Sequence, residues 1–467
     1  MFVLYAFLVA AALTLFGMFF LNTYQLESYK IKNYFKKVIK FEFAISEKNK
    51  LNFTKRIKRL IFFDFFLNFW AFFIMFWFFN NYFSLVFVFA FLIFKHLEII
   101  LTFAFVEPIE DAIKKNYIKK AKKKLKDLPC KKIAITGSFG KTSTKNILYQ
   151  ILNEEFDVCA TPKSFNTPMG ICKTILEDLK ETDDFFVVEF GARNKGDIQF
   201  LADLVGVDFA IITPIGNCHL ETFGSLENIE NTKYELCERT QDIVLFNAKS
   251  ESTKKLYEKY EKRKFLVCEK NSFAYAKNIK TSKDGSTFDM VLDGKAYHCQ
   301  TKLLGKANVD NIVVASAMAY LLGESAYSII AGIKKVSPIA HRLELIKTQT
   351  VTIIDDSYNS NFDGFCQALD VLKSFSGRKI VVSPGVVELG KEQYSTNFRL
   401  AQKVCKIADV FVIMNKTNQD ALLQGAENKN CQIYSALTRQ EQKQILKTIL
   451  KDGDVVLFEN DLPDNYR

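Results

Sequence analysis

The stretch AITGSFGKTSTK, Ala134–Lys145, decides how this chain is read. It ends an apolar strand, turns through two glycines and opens a helix on a lysine and hydroxyl residues. That is the pattern of a phosphate-binding loop. Gly137 and Gly140, with Ser138 between them, let backbone N–H groups curl around a polyphosphate. Lys141 brings a point charge to the β- and γ-phosphates, and Thr142, followed by Ser143, offers a hydroxyl to Mg²⁺ at a helix N-terminus. The spacing is GxxGKT and not the usual GxxxxGKT, because Ile135 stands where the first glycine belongs. On the motif alone, an ordinary glycine-containing strand-to-helix turn stays open as an alternative.

Charge divides the 467 residues before any other motif does. Residues 1–130 hold 20 Lys/Arg against 9 Asp/Glu, so the whole formal excess of +11 sits there. This excess does not point to nucleic acid. It flanks three apolar runs, Phe2–Leu21, Leu60–Phe79 and Tyr82–Val106, each about long enough to cross a hydrocarbon layer. The first run lacks a basic leader and a small-residue cleavage site and reads as a retained anchor. The loop Glu27–Arg59 carries 11 basic residues and KKNYIKKAKKKLK follows the third run, whereas Asn80–Asn81 is uncharged. Those asymmetries place the N-terminus outside and the phosphate loop in the cytoplasm of a multi-pass membrane protein. Asp64, Lys95, His96 and Glu98 fall within or near the spans; such charges are functional candidates, although Asp64 lies near an end and Lys95 is able to snorkel.

Ten cysteines without any metal-ligand spacing suit reduced thiols in a cytoplasmic domain, and Cys218 beside His219 reads first as a buried thiol. Glu107–Leu128 is a lysine-rich amphipathic helix, either a lipid-surface element or a solvated linker. Beyond it, apolar strands at Lys131–Thr136, Phe185–Glu189, Asp208–Ile212 and Ile243–Asn247 alternate with helical stretches. The class is therefore α/β, with a mostly parallel sheet covered on both faces. Phe288–Gln300 reads as a hairpin turning at Asp293–Gly294. A second alternating set covers Thr350–Asp355, Lys379–Val382, Asp409–Met414 and Val455–Phe458. The break near Ser337–Pro338 gives four parts: 1–106 membrane helices, 107–130 linker helix, 131–336 nucleotide domain and 337–467 C-terminal domain.

In open α/β sheets ligands meet the carboxyl ends of the strands. Glu189 ends FFVVEFGAR, and His219 follows the third strand in TPIGNCHLETFGS. A carboxylate, an imidazole and Thr142 would hold Mg²⁺ on a nucleotide, although imidazole is an unusual ligand for so hard a cation. A capping carboxylate and a loop histidine remain the plain alternative.

Over about residues 131–467 these pieces resemble the Mur ligases, ATP-dependent amide-bond-forming enzymes of peptidoglycan precursor synthesis. GSFGKTST looks like that family's own loop variant. The polar residues follow in register: Lys141, Glu189, His219, Asn308 and Asn311 in GKANVDN, Arg342 in HRLE, and Asp356 in DDSYNSN. The run from Val187 to Leu236 and DDSYNSN look specifically like the D-alanyl-D-alanine-adding, MurF-type branch. The resemblance implies a central ATPase domain and a Rossmann-like C-terminal domain. It implies that Asn308 and Asn311 meet adenine while Arg342 and Asp356 close over ATP. Lys233 in NTKYEL matches a lysine that is carbamylated in the family and then supports a second metal, beside Thr142, Glu189 and His219. Asn166, Thr167, Tyr358, Asn359 and Asn361 match positions facing the muropeptide and the amine.

Departures from the family pattern are Ala307 for a histidine, Phe362 for a proline, and SPGVVELGKEQYSTN for a glycine-led loop. Apolar spans stand where the family has its uridine-diphosphate-binding domain. The leading expectation is a membrane-anchored ligase joining D-Ala-D-Ala, or a similar amine, to a muropeptide carboxylate. Two others stay open: a Mur-like ligase or amidase acting on a lipid-linked precursor with a different amine donor, and a nucleotide-binding membrane regulator.

Overall fold

The computed structural model describes every residue except 1, 28, 30, 40–50, 79–80, 219, 359, 428–429 and 463–467. The expectations for His219 and Asn359 lie outside the described residues. The chain divides into two units, and the division falls after Tyr117.

The N-terminal unit is helical: α1 Phe2–Leu26, α2 Ile31–Ile39, α3 Lys55–Phe78, α4 Asn81–Ile93 and the first part of α5 Lys95–Asp127. Among the described residues, α1, over Val3–Leu26, and α3 are the helices long and apolar enough to cross a membrane. The third apolar run is not one continuous helix: it is interrupted at Phe94 between α4, of 13 residues, and the start of α5. The break falls where polar groups demand partners. Lys95 does not snorkel; it is fully buried and its Nζ donates to Asp64 Oδ1 at 2.9 Å and to Glu98. Asn68 Nδ2 donates to the Asp64 carbonyl at 2.7 Å. Gly17 of α1 makes room, since a Cβ there would lie 2.7 Å from Lys95 Cε. An unpaired charge in such an apolar bundle costs several kcal/mol, so the pair fixes the helices on one another. The linker helix is likewise not a separate element, because 107–127 continues α5.

The second unit holds two sheets. The first, in spatial order, is β2 (Val158–Ala160), β3 (Phe185–Glu189), β1 (Lys131–Thr136), β4 (Phe209–Ile212), β5 (Val244–Asn247), β6 (Lys264–Val267), β7 (Ala274–Ser282), β8 (Gly285–Leu292) and β9 (Lys295–Thr301). β2 through β6 pair in parallel, and β7, β8 and β9 form an antiparallel extension. The β8–β9 hairpin turns at Asp293 and Gly294, both at positive φ (48° and 75°), as a two-residue hairpin turn requires.

Strand alternation sends alternate residues to opposite faces. Ile133, Ile135, Val187 and Ile211 pack against α6 (Lys141–Leu152) and α12 (Gly305–Leu321). Ala134, Val188, Ala210 and Ile212 face α7 (Pro168–Glu177), α8 (Asp197–Val205) and α10 (Leu226–Arg239), together with Ala121, Leu125 and Leu128 of and after α5. A parallel sheet buried on both faces has this arrangement, which explains the near-continuous apolar strands. The short α9 (Leu220–Phe223), α11 (Glu251–Lys259) and α13 (Ala326–Lys335) complete this domain.

The second sheet runs β10 (Glu344–Lys347), β11 (Thr352–Asp356), β15 (Val455–Glu459), β12 (Lys379–Ser383), β13 (Val410–Met414) and β14 (Gln432–Ala436); only β10 is antiparallel. Around it lie α14 (Phe362–Lys373), α15 (Gln393–Val404), α16 (Gln419–Ala426) and α17 (Arg439–Ile449).

Candidate active site

β1 lies between β3 and β4 with its crossover leaving toward β2, so the carboxyl ends of these strands frame a switch point where α/β sheets take ligands. The loop after β1 needs its glycines. Gly137 sits at φ 149°, and a Cβ there would come within 2.0 Å of Thr213 Oγ1; Gly140 sits at φ 81° against Asn311. Ser138 is pinned at both ends, its Oγ donating to the Gly216 carbonyl and accepting from the Gly216 N–H, each at 3.0 Å. Lys141 Nζ folds back onto its own loop, donating to the carbonyls of Gly137 (2.9 Å) and Ser138 (3.0 Å). Burial pushes the Lys141 pKa down, with the Glu189 carboxylate pulling the other way.

Glu189 ends β3 fully buried, and polar groups converge on it. Thr142 Oγ1 donates to its Oε2 at 2.8 Å and Asn166 Nδ2 to its Oε1 at 3.0 Å. Lys145 Nζ lies 4.0 Å from Oε2 while donating to the carbonyls of Thr161 (2.5 Å) and Lys163. Burial lowers the Lys145 pKa to about 8, against the Glu189 charge that raises it. Sequence reasoning missed Lys145. Its signal is the second lysine of KTSTK, one helical turn after Lys141, on the fully buried side of α6.

Beside the loop, a small cavity of about 60 Å³ is lined by Ser138, Lys141, Asn166, Cys218 and Lys233, among others. Lys233 is buried on α10 and, among the described residues, has no hydrogen-bond or ion-pair partner. Burial first, and then the charge of Lys141, lower its pKa to about 7. Cys218 is kept as a thiol by burial and accepts from Asn361 Nδ2 at 3.5 Å.

A larger cleft of about 470 Å³ opens between the two sheets' domains. Gly140, Ser143, Asn308 and Asn311 line it from one side and Arg342, Asp356, Tyr358 and Asn361 from the other. Asn308 and Asn311 are buried on α12: Asn308 donates to the Leu304 carbonyl at 2.9 Å, and Asn311 accepts from Thr144 at 3.3 Å. The Arg342 guanidinium lies over the Tyr358 ring, 4.2 Å from its centroid. Asp356 accepts from the Leu343 N–H at 3.1 Å, and burial, opposed by Arg342, raises its pKa to about 6. Glu459, unread in the sequence, is fully buried, and burial with the Asp356 charge holds its pKa well above the usual carboxylate range.

Two of the substrate-facing expectations fall on helix caps. Thr167 Oγ1 accepts from the Gly170 N–H (3.3 Å) at the start of α7, and Asn361 Oδ1 accepts from the Gly364 N–H (2.9 Å) at the start of α14. The structure thus brings Lys141, Thr142, Glu189 and Asn166 together around the loop, with Lys233 across the small cavity. Such a site can bind a nucleotide polyphosphate and, through buried carboxylate and hydroxyl oxygens, a hard divalent cation.

The pattern of the Mur ligase middle domain matches residues 135–319, and that of the Mur ligase, glutamate ligase domain matches residues 341–459. The UDP-N-acetylmuramoyl-tripeptide–D-alanyl-D-alanine ligase of Haemophilus influenzae is 29% identical over 342 residues, covering 72% of each chain. Its counterpart in Buchnera aphidicola is 28% identical over 342 residues, covering 68% of this chain and 74% of that one. Among solved structures, MurF from Acinetobacter baumannii superposes with a TM-score of 0.69 at 24% identity, over 74% of this chain and 77% of that one. MurF ligase from Thermotoga maritima in complex with ADP gives the same TM-score and identity, over 74% and 80%. These two likenesses establish the shared fold.

Proposed function

The chain belongs to the Mur ligase family, and on that premise we propose that it is an ATP-dependent ligase adding D-Ala-D-Ala to a muropeptide carboxylate in peptidoglycan precursor synthesis. The observation that carries this reading is the convergence of Thr142, Asn166 and Lys145 on buried Glu189 beside the phosphate loop, where Gly140 and Ser143 line a cleft with Arg342 and Asp356.

A carboxylate is a poor electrophile because its leaving group is oxide. Phosphoryl transfer from ATP converts it to an acyl phosphate; the amine attacks the carbonyl carbon, and inorganic phosphate leaves from the tetrahedral intermediate. In this reading the loop amides and Lys141 stabilise charge on the transferring phosphoryl group. Glu189 and Thr142, whose oxygens suit a hard cation, would hold Mg²⁺, which would supply charge neutralisation at the phosphates; His219 would join them by resemblance to the family. Asn308 and Asn311 bind adenine, and Arg342 and Asp356 cover the nucleotide when the domains close. By resemblance to the family, Asn166, Asn359 and Asn361 would contact the muropeptide and the amine. Closure keeps water from the acyl phosphate.

Lys233 acts as a carbamate. Carbon dioxide adds only to a neutral amine, and a pKa of about 7 makes that form abundant at physiological pH. The product is an anion in place of a cation beside Lys141, and it would support a second metal.

The helices α1 and α3 anchor the ligase at the cytoplasmic face of a bacterial membrane. The test uses the full chain in nanodiscs with Mg-ATP, D-Ala-D-Ala and a tripeptide substrate, either nucleotide-linked or lipid-linked. ADP release that needs both the amine and the tripeptide supports the ligase; ADP release indifferent to both refutes it. A higher kcat/KM for the lipid-linked form assigns a membrane substrate, and its failure to react assigns the soluble one.

A further inference from the structure

We infer that Tyr358 is a positioning residue whose hydroxyl, through Ser164, ties the nucleotide cleft to the loop that orients Glu189. The inference rests on the ligase reading for its kinetic consequences, and on geometry alone for its structural ones.

Tyr358 follows β11 and is fastened to the segment that carries Arg342. Its N–H donates to the His341 carbonyl at 3.3 Å, and the Leu343 N–H donates to Asp356 at 3.1 Å. These two bonds zip residues 341–343 to 356–358, with the Arg342 guanidinium over the Tyr358 ring. The phenol then reaches out of its own domain: its hydroxyl donates to Ser164 Oγ at 2.6 Å, across 194 residues of sequence.

Ser164 belongs to the 161–167 loop between β2 and α7, in which Thr161, Lys163 and Asn166 bond Glu189 or its neighbour Lys145. Thr161 and Lys163 give their carbonyls to Lys145, Thr161 Oγ1 accepts the Glu189 N–H at 3.4 Å, and Asn166 donates to the Glu189 carboxylate. Lys163 sits at φ 48°, a left-handed conformation that a lysine keeps only where surrounding contacts hold it. The Tyr358–Ser164 bond is one such contact from the C-terminal domain.

The hydroxyl of Tyr358 is committed to Ser164, while its ring lines the cleft. A polyphosphate entering the cleft meets Arg342; Arg342 fixes the Tyr358 ring; the hydroxyl sets Ser164 and, with it, Asn166 and Lys145 around Glu189. The chain of contacts makes the carboxylate's orientation depend on closure of the C-terminal domain over the nucleotide.

Tyr358→Phe keeps the ring under Arg342 and removes only the hydroxyl; Ser164→Ala removes the acceptor. One neutral hydrogen bond corresponds to a drop of about 3- to 10-fold in kcat for each variant. KM for ATP is expected to move less than about twofold, because Arg342 and the phosphate loop are intact. The double variant should be no slower than the slower single one, and Ser164→Thr should recover most of the rate. Multiplicative losses in the double variant, or a Tyr358→Phe enzyme with wild-type kcat, overturn the inference. Amide hydrogen exchange in residues 161–167 of the full chain, measured with Mg-ATP bound, tests it without turnover. Faster exchange in both variants supports the tie, and unchanged exchange in Tyr358→Phe overturns it. A wild-type chain lacking amine-dependent ADP release would instead refute the ligase reading, while the exchange result still decides the tie.

Discussion

Replacing Lys233 tests the proposed carbamate directly. The lysine is buried on α10 with its amine facing the small cavity, and its pKa falls from 10.5 to about 7. At pH 7 the neutral fraction rises from about 0.03% to about half, more than about 1,000-fold, which is what addition of carbon dioxide requires. The same shift sets the sign of a stability effect. The folded-state pKa lies below the unfolded one, so the unfolded chain binds the extra proton between pH 7 and 10.5. The unmodified amine thus destabilises the fold by up to about 5 kcal/mol below pH 7, and the penalty fades as pH rises to 10.5. Carbamylation removes that penalty and supplies an anion. Lys233→Ala is expected to lose at least about 100-fold in amine-dependent ADP release, as loss of a charged group at a phosphoryl-transfer site does. Short carboxylic acids should restore part of it by standing in for the carbamate. The wild-type chain incubated with ¹³C-bicarbonate should show one carbamate carbonyl signal that Lys233→Ala lacks. An active Lys233→Ala enzyme together with an unlabelled wild type would refute the reasoning.

Other perturbations act on separate parts of the site. Lys141→Ala should reduce amine-dependent ADP release at least about 100-fold, since the phosphate-loop charge acts in the transition state; undiminished turnover would remove the loop assignment. Gly137→Ala places a Cβ 2.0 Å from Thr213 Oγ1, so calorimetry should find nucleotide binding lost while the rest of the fold persists. Lys145→Met leaves Glu189 without its buried cation and is expected to lower unfolding free energy by about 3 kcal/mol, read by denaturant titration. A chain beginning at Pro108 keeps Ala121, Leu125 and Leu128 on the sheet; one beginning at Lys131 loses them and should be about 4 kcal/mol less stable.

The strands that frame the phosphate loop were legible because both their faces are buried. β1, β3, β4 and β5 read as apolar runs, and each ends within a residue of its expected place. The hairpin at Asp293–Gly294 was legible for a local reason, the positive φ that its turn demands. What escaped was non-local. β2 has three residues and β7 reads AYAKNIKTS, too short and too polar for strand patterning; each becomes a strand by pairing with a neighbour. The interruption of the 82–106 run at Phe94, beside the pairing of Lys95 with Asp64 31 residues away, is likewise not legible in hydropathy. Ser164 and Glu459 carry no signature of their own, since each gains its role from a group distant in sequence.

The fold-back of Lys141 bears on how tightly this site can hold anything at all. Its ammonium already donates to two carbonyls of its own turn, so an arriving phosphate competes with the protein for that cation. Binding becomes an exchange of partners, and the ligand gains only the difference between an anionic oxygen and two neutral ones. Substrate and spent nucleotide meet the same competition, which holds both from sinking into a deep well. The advantage grows only as negative charge accumulates during transfer, so the lysine favours the moment of reaction over occupancy on either side of it.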